Sequence, residues 1–384
     1  MRKSPFTRLI QLLLRQQLGV LLFAEFARVE CFLERPLTTH IHNTIFSAKR
    51  QFNFAVNGWV QDQYGEWEWE EDDPNYQAST SVVIQVSATP QLPSGTYRPK
   101  QSLGQNYLKD PNTVAKIVRA FHQDASRYQP TVEEIVELGP GAGALTDKLV
   151  EVYGASHLHC IEIDERSIQL LEQKHPTLKI THADVLQVDY SEMAVERPLV
   201  VIGNLPYYIT SQILFALADA AHVGAVSSAT VTMQWEVGQR MIAKPKTKDY
   251  GILSVVFQLY AEVVCHFKIP PTVFYPKPAV DSALIGLHFY SPSLLRERLQ
   301  GVAPVQLRRV VTTAFQQRRK TLRNSLKKLC QQEGVELSEE WAVQRPEELT
   351  PEDFVALTKS IFGTQPEMQL GKKVWRKLKH GSNN

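Results

Sequence analysis

Glu134-Ile135-Val136-Glu137-Leu138-Gly139-Pro140-Gly141-Ala142-Gly143-Ala144-Leu145-Thr146 runs an apolar strand into a glycine loop and on into a helix start. Glycines let a backbone turn tightly and approach a ligand closely, so a strand–loop–helix unit of this kind accepts a nucleotide. A second strand follows from His157 to Ile163, and its Glu162 lies 19 positions after Gly143, where a carboxylate meets ribose hydroxyls. Leu178 to Asp184 reads as a third strand ending in an acid. Gly139-Pro140-Gly141-Ala142-Gly143-Ala144 also satisfies the dinucleotide pattern G-x-G-x-x-A, so the loop alone does not name the cofactor. Glu137, two residues before the first glycine, resembles the acid of S-adenosylmethionine (SAM) sites, where a carboxylate acts near the methionine ammonium.

A fourth stretch decides between the two cofactors. The apolar run Leu199-Val200-Val201-Ile202-Gly203 reads as a buried strand and ends at Asn204-Leu205-Pro206-Tyr207. An amide, a stiff proline and an aromatic at a strand end suit a flat ring bearing an amino group. The Asn204 side-chain carbonyl and the Leu205 backbone carbonyl are placed to accept the two amine hydrogens of adenine while Tyr207 stacks. That bonding favours a pyramidal nitrogen, whose lone pair then points at an electrophile. Taken alone, N-x-P-Y is more often an ordinary strand exit; the three upstream strands reverse that balance. Hydride transfer has no evident use for such a pocket, so SAM is the expected cofactor.

At this point the chain resembles the KsgA-type ribosomal RNA adenine dimethyltransferases, in their bacterial and organellar branch. The resemblance rests on Gln105-Asn106-Tyr107-Leu108, Glu137-Leu138-Gly139-Pro140-Gly141, Glu162-Ile163-Asp164 and Gly203-Asn204-Leu205-Pro206-Tyr207, in the family's order. Phe274-Tyr275-Pro276-Lys277-Pro278, Val280-Asp281-Ser282 and Gln317-Arg318-Arg319-Lys320-Thr321-Leu322-Arg323 extend it, so that it covers about Lys100 to Phe362. It implies transfer of two methyl groups to N6 of each of two adjacent adenosines near the 3′ end of small-subunit rRNA. It further implies that Gln105, Asn106 and Leu108 cover the cofactor, that Gly139 and Gly141 admit its methionine part, and that Asp184 takes its adenine amine. Phe274 is implied to face Tyr207 across the target base. Tyr275 stands where many relatives carry a smaller residue, which leaves it a possible second ring. Stacking contributes about 1–3 kcal/mol per base, offsetting much of the cost of unstacking one. Three rivals share parts of this pattern: a DNA adenine N6-methyltransferase, a relative acting on large-subunit rRNA, and a non-catalytic RNA-binding assembly or transcription factor.

With 384 residues, 43% of them hydrophobic, the chain can hold two or three domains. The expected fold is α/β: a Rossmann-like SAM-dependent methyltransferase domain with a mostly parallel seven-stranded sheet over 99–291, then a small all-helical RNA-binding domain over 292–363. A basic tail, 364–384, either touches RNA or lies in solvent. Helices are expected at Asn112–Phe121, Glu165–Lys174, Thr210–Ala221, Glu236–Ile242, Leu294–Leu299, Val305–Phe315, Thr321–Gln332 and Pro351–Ile361. From Gln306 to Lys328 there are eight Lys/Arg and no acid, a composition that points to phosphate binding by Arg308, Arg309, Arg318, Arg319, Lys320 and Arg323.

The N-terminal hundred residues differ in kind. Residues 1–58 carry eight Lys/Arg and three Asp/Glu among leucines, which reads as an organellar targeting leader, plastid favoured over mitochondrion. Residues 59–98 read as a disordered acidic and polar linker in which Val82–Val86 forms at most a short strand with little nearby to bury it. Four scattered cysteines give neither a disulfide framework nor a zinc site. His157 and His159 share one face of a strand and Cys160 the other, so no metal is expected. No apolar run reaches the length of a membrane span. The expected partner is the rRNA of an immature small ribosomal subunit, met by a monomer without a membrane.

Overall fold

The computed structural model describes residues 59–61, 67–69, 84–85, 90, 98–129 and 132–364. The leader and the basic tail lie outside the described residues, apart from Thr364. In chain order the strands are β1 (Trp59–Gln61), β2 (Trp67–Trp69), β3 (Tyr107–Leu108), β4 (Ile135–Leu138), β5 (Leu158–Glu162) and β6 (Lys179–His182). They continue as β7 (Leu199–Asn204), β8 (Val226–Gln234), β9 (Ala261–Ile269), β10 (Phe274–Tyr275) and β11 (Ser282–Phe289). Seven of them form one sheet in the order β6-β5-β4-β7-β8-β11-β9. The first five run parallel, and β11 pairs antiparallel with both β8 and β9. This is the mostly parallel seven-stranded sheet that the sequence predicts.

Helices cover both faces, and the strand residues show why. Val200 and Ile202 of β7 belong to one hydrophobic cluster, while Leu199 and Val201 belong to the other. Period-two alternation with both faces apolar is the pattern of a strand covered on each side. The first cluster packs under α1 (Pro111–Ser126), α2 (Ala144–Tyr153) and α3 (Glu165–Lys174). Asp110 caps α1 by accepting from the Thr113 amide at 2.7 Å, and Pro111 opens the helix where no amide hydrogen is needed. The second cluster lies under α4 (Tyr190–Met193), α5 (Thr210–His222), α6 (Trp235–Ile242) and α7 (Ile252–Tyr260). The helix α7 departs from the sequence reading: Ile252-Leu253-Ser254-Val255-Val256-Phe257 is apolar on every side and shows no helical period, because the helix is buried on most of its surface.

The C-terminal helices are α8 (Pro292–Leu299), α9 (Pro304–Gln316), α10 (Leu322–Ser325), α11 (Lys327–Glu333), α12 (Glu339–Ala342) and α13 (Pro351–Phe362). The helix expected over Thr321–Gln332 is in fact two, α10 and α11, meeting at Leu326. Val310, Val311, Phe354 and Leu357 join the same cluster as Phe257 and Tyr260. The change of architecture near residue 292 is therefore not a break in the core. In the stretch read as a linker, β1 and β2 pair antiparallel, and Ile84 is 4% exposed within the cluster under α1. The Arg119 guanidinium donates to the Ile84 carbonyl at 3.3 Å. The expectation that little nearby buries this segment is corrected at that residue, and residues 84–85 are not strand.

Candidate active site

The strand order reverses between β4 and β7, and at such a switch point the loops leaving the carboxyl ends of neighbouring strands diverge and leave a crevice. A cavity of about 230 Å³ opens there. Gly139 and Gly141 come to it from β4, Glu162 from β5, Asp184 from β6, and Asn204, Leu205, Pro206 and Tyr207 from β7. Gln105 and Asn106 reach it from the segment before β3. Ile163 and Val185 supply apolar wall. Ten of the residues predicted from sequence thus share one cleft.

The glycine loop is shaped by its backbone. Gly139 and Gly141 have φ of +63° and +56°, in the left-handed region that side chains disfavour. A Cβ on Gly139 would meet nothing within 4 Å, so that residue faces open space, whereas one on Gly141 would lie 2.7 Å from the Tyr107 ring. Glu162, 4% exposed, accepts from the Gly141 amide at 2.9 Å and from the Ile163 and Asp164 amides at 2.8 Å each. It thereby ties the loop to the end of β5. Burial raises its carboxyl pKa despite those three donors. Two carboxylate oxygens offer about four acceptor positions, which leaves one for a ribose hydroxyl. Asp184 also lines the cleft and accepts from the Leu186 amide at 2.9 Å.

Two of the expected cofactor residues lie deeper. Glu137 is 1% exposed, lines a small hollow that shares Tyr107, Gly139 and Asn204 with the cleft, and accepts from the Thr146 hydroxyl at 2.8 Å and the Cys160 thiol at 3.7 Å. Burial pushes its carboxyl up to about 8. Leu108, 2% exposed, lines that same hollow and not the main cleft. Both lie under the loop because β4 and β3 carry them inward, while the glycines beyond turn outward.

A residue without an assigned role in the sequence reading organises the near wall. Asp164, its side chain wholly buried, accepts from Lys100 Nζ at 3.2 Å, Gln105 Nε2 at 3.0 Å and the Arg166 guanidinium at 2.6 Å. These donors hold its carboxyl well below the usual carboxylate range, against the opposing effect of burial. Gln105 is thus a strut from Asp164 to the Lys100 amide, 2.7 Å away, as well as cleft wall. The signal was present: an acid beside the ribose acid, at the cap of α3.

The Asn204 amide donates to the Asn106 carbonyl at 2.7 Å, and its Oδ1 accepts from the Thr232 hydroxyl. Tyr207 is half-buried with its hydroxyl 2.6 Å from Ser282 Oγ, which fixes the ring. Phe274 is 1% exposed, pairs with Leu108 between β10 and β3 and belongs to the cluster beneath the cleft, so it packs in the core and does not itself line the cleft. The alternation along β10 turns the next ring, Tyr275, outward at 48% exposure. Tyr208, 60% exposed and lining the cleft, is a further ring that the sequence reading passed over.

The basic run finds partners within the chain. Arg308 pairs with Asp219 at 2.7 Å, Arg309 with Glu333 at 2.7 Å, Arg318 with Glu347 at 2.8 Å and Arg323 with Glu339 at 2.6 Å. Arg318 additionally donates to the carbonyls of Thr247 and Lys248. Acids absent from the run itself arrive from other elements, so four of the six cations are committed within the chain. Arg319 and Lys320 are exposed, and among the described residues neither forms an ion pair. Among the described residues no group of three His, Cys, Asp or Glu side chains is placed to hold a metal ion, and no helix is long and apolar enough to cross a membrane.

The cleft suits the cofactor: open space before Gly139, a carboxylate acceptor on Glu162 and apolar wall from Ile163 and Val185 match a methionine backbone, a ribose and an adenine. Fold and site together define a SAM-dependent methyltransferase. The model of the ribosomal RNA adenine dimethylase family matches residues 97–362, and the chain belongs to that family. Its sequence is 41% identical over 280 residues to ribosomal RNA small subunit methyltransferase A of Salinibacter ruber, covering 72% of this chain and 90% of the relative. The counterpart in Aromatoleum aromaticum is 38% identical over 272 residues, covering 70% and 97%. Among solved structures, a dimethyladenosine transferase from Plasmodium falciparum superposes with a TM-score of 0.52 at 21% identity, over 67% of this chain and 98% of that one; this likeness concerns the fold.

Proposed function

We propose that this enzyme dimethylates N6 of two adjacent adenosines near the 3′ end of small-subunit rRNA, on an immature small subunit during ribosome assembly in an organelle. The observation that carries the reading is the convergence of Asn204-Leu205-Pro206-Tyr207 on the cleft that also holds Gly139, Gly141, Glu162 and Asp184. When bound, SAM supplies a methyl group already activated by a sulfonium. Glu162 takes the ribose and Asp184 the cofactor's adenine amine, with Gln105 and Asn106 as the near wall. Asn204 Oδ1 and the Leu205 carbonyl accept the two hydrogens of the target amine, Pro206 stiffens the turn and Tyr207 stacks on the base. No general base is required, since positioning and electrostatics carry most of the barrier reduction and the proton leaves after transfer. Arg319 and Lys320 contact rRNA phosphates, and the enzyme acts as a monomer.

Radiolabelled SAM offered with immature small subunits, mature ribosomes and naked duplex DNA separately tests this reading. Label should enter only the first; label in duplex DNA overturns the substrate assignment. Residues 1–98 fused to a fluorescent protein should carry it to plastid or mitochondrion, and diffuse cytosolic or nucleolar signal would defeat the organellar address.

A further inference from the structure

We propose that Thr232 is a positioning residue that aims the Asn204 amide, an inference that rests on the reading of Asn204 as acceptor for the target amine. Asn204 ends β7 and Thr232 lies abreast of it on the parallel strand β8. Thr232 is fully buried and does not line the cleft. Its hydroxyl meets Asn204 Oδ1, while Asn204 Nδ2 lies 2.7 Å from the Asn106 carbonyl. A backbone carbonyl can only accept, so Nδ2 must face Asn106 and Oδ1 must face Thr232, which leaves the hydroxyl as donor. The amide is thus held at both ends, with the Asn106 carbonyl excluding its flipped orientation and the Thr232 hydroxyl fixing the position of Oδ1. One lone pair on Oδ1 and one N–H remain for a ligand.

The same residue also holds the backbone next to the second proposed acceptor. The Leu205 amide donates to the Thr232 carbonyl at 3.3 Å, which ties down the Asn204–Leu205 peptide, next in the chain to the one that carries the Leu205 carbonyl. Side chain and main chain of one buried strand residue therefore hold the Asn204 amide and the backbone that leads to the Leu205 carbonyl. Most buried hydroxyls have a partner, and on a strand a backbone carbonyl would serve; here the partner is the functional amide of the neighbouring strand.

Thr232→Val keeps the shape of the side chain and removes the donor. The single-turnover rate of methyl transfer to small-subunit rRNA should fall by about tenfold to a hundredfold, the range expected for a misplaced reacting group. SAM affinity should stay within about twofold, since Thr232 lies outside the cleft wall, and Thr232→Ser should restore the rate. In an Asn204→Ala background the residual rate should fall no further. If Thr232→Val does not fold, Thr232→Ala with Thr232→Ser gives the same comparison. A Thr232→Val rate near wild type, with Asn204→Ala inactive, overturns the role of Thr232 alone. Equal losses in the Val and Ser variants also overturn it, in favour of packing. A wild-type rate in Asn204→Ala overturns the underlying reading of Asn204.

Discussion

The cleft at the sheet switch point and the basic run of the C-terminal helices obey opposite rules. In the cleft, groups separated by up to a hundred positions converge because each ends a strand or loop at the same edge of a parallel sheet. In the basic run, groups adjacent in sequence point to different acids, between 16 and 89 positions away. A motif at a strand end is therefore a statement about place, whereas a run of charge is only a statement about composition. The difference also separates energetics: the cleft uses buried hydrogen bonds to fix geometry and keeps a few polar atoms for ligands, while exposed pairs such as Arg323–Glu339 contribute at most about 1 kcal/mol.

The sharpest way to break this contrast is at Asn204. Asn204→Ala should lower methyl transfer by about 10²–10³-fold, the usual loss for a preorganised polar group, while calorimetric SAM affinity changes little. Wild-type turnover would mean that convergence on the cleft carries no chemistry. Next in size, Glu162→Ala should weaken SAM binding by about tenfold or more, because a hydrogen bond to a charged group contributes about 1.5–3 kcal/mol and three backbone amides also lose their acceptor. Asp184→Asn should weaken it less, as Asn keeps one acceptor oxygen. Unchanged affinity in both variants would place the cofactor elsewhere.

Those two regions also mark what the sequence makes legible. The strand ends Glu162, Asp184 and Asn204 share one cleft, which the alternation of strands and helices makes legible, although only the runs before Glu162 and Asn204 are mainly apolar. Which of Phe274 and Tyr275 is buried is not legible, because a two-residue strand is too short to show which neighbour faces the core. Glu137 kept its place in the motif, but the inward turn of β4 is invisible in a string of letters. Asp164 and Thr232 escaped because their partners, Lys100 with Gln105 and Asn204, are set by tertiary contact. The arginine pairs escaped for the same reason.

Smaller effects sharpen the contrast further. Glu137 is pushed up to about 8 from 4.5, so between those values the folded chain holds a proton that the unfolded chain has lost. Its contribution to stability is complete below about 4.5 and is lost as pH rises through about 8, with a slope of at most about 1.4 kcal/mol per pH unit. Urea melts of Glu137→Gln from pH 5 to 8.5 should show that slope removed; an unaltered slope would mean that the carboxyl is ionised in the fold. Arg318→Gln should cost about 1–2 kcal/mol of stability through its bonds to Glu347, Thr247 and Lys248. Arg319→Gln with Lys320→Gln should leave stability alone and flatten the salt dependence of rRNA binding by roughly 0.7–0.9 per lost phosphate contact. Identical behaviour of the two sets would erase the distinction between committed and free cations.

The central claim is that this cleft dimethylates adenosine in small-subunit rRNA, and nucleoside mass spectrometry tests it most directly. Immature small subunits incubated with enzyme and SAM should yield N6,N6-dimethyladenosine at two adjacent positions in a 3′-terminal fragment, at a rate about 10²–10³-fold lower with Asn204→Ala. Monomethyladenosine alone, dimethylation in large-subunit rRNA, or an undiminished yield from Asn204→Ala would contradict the account.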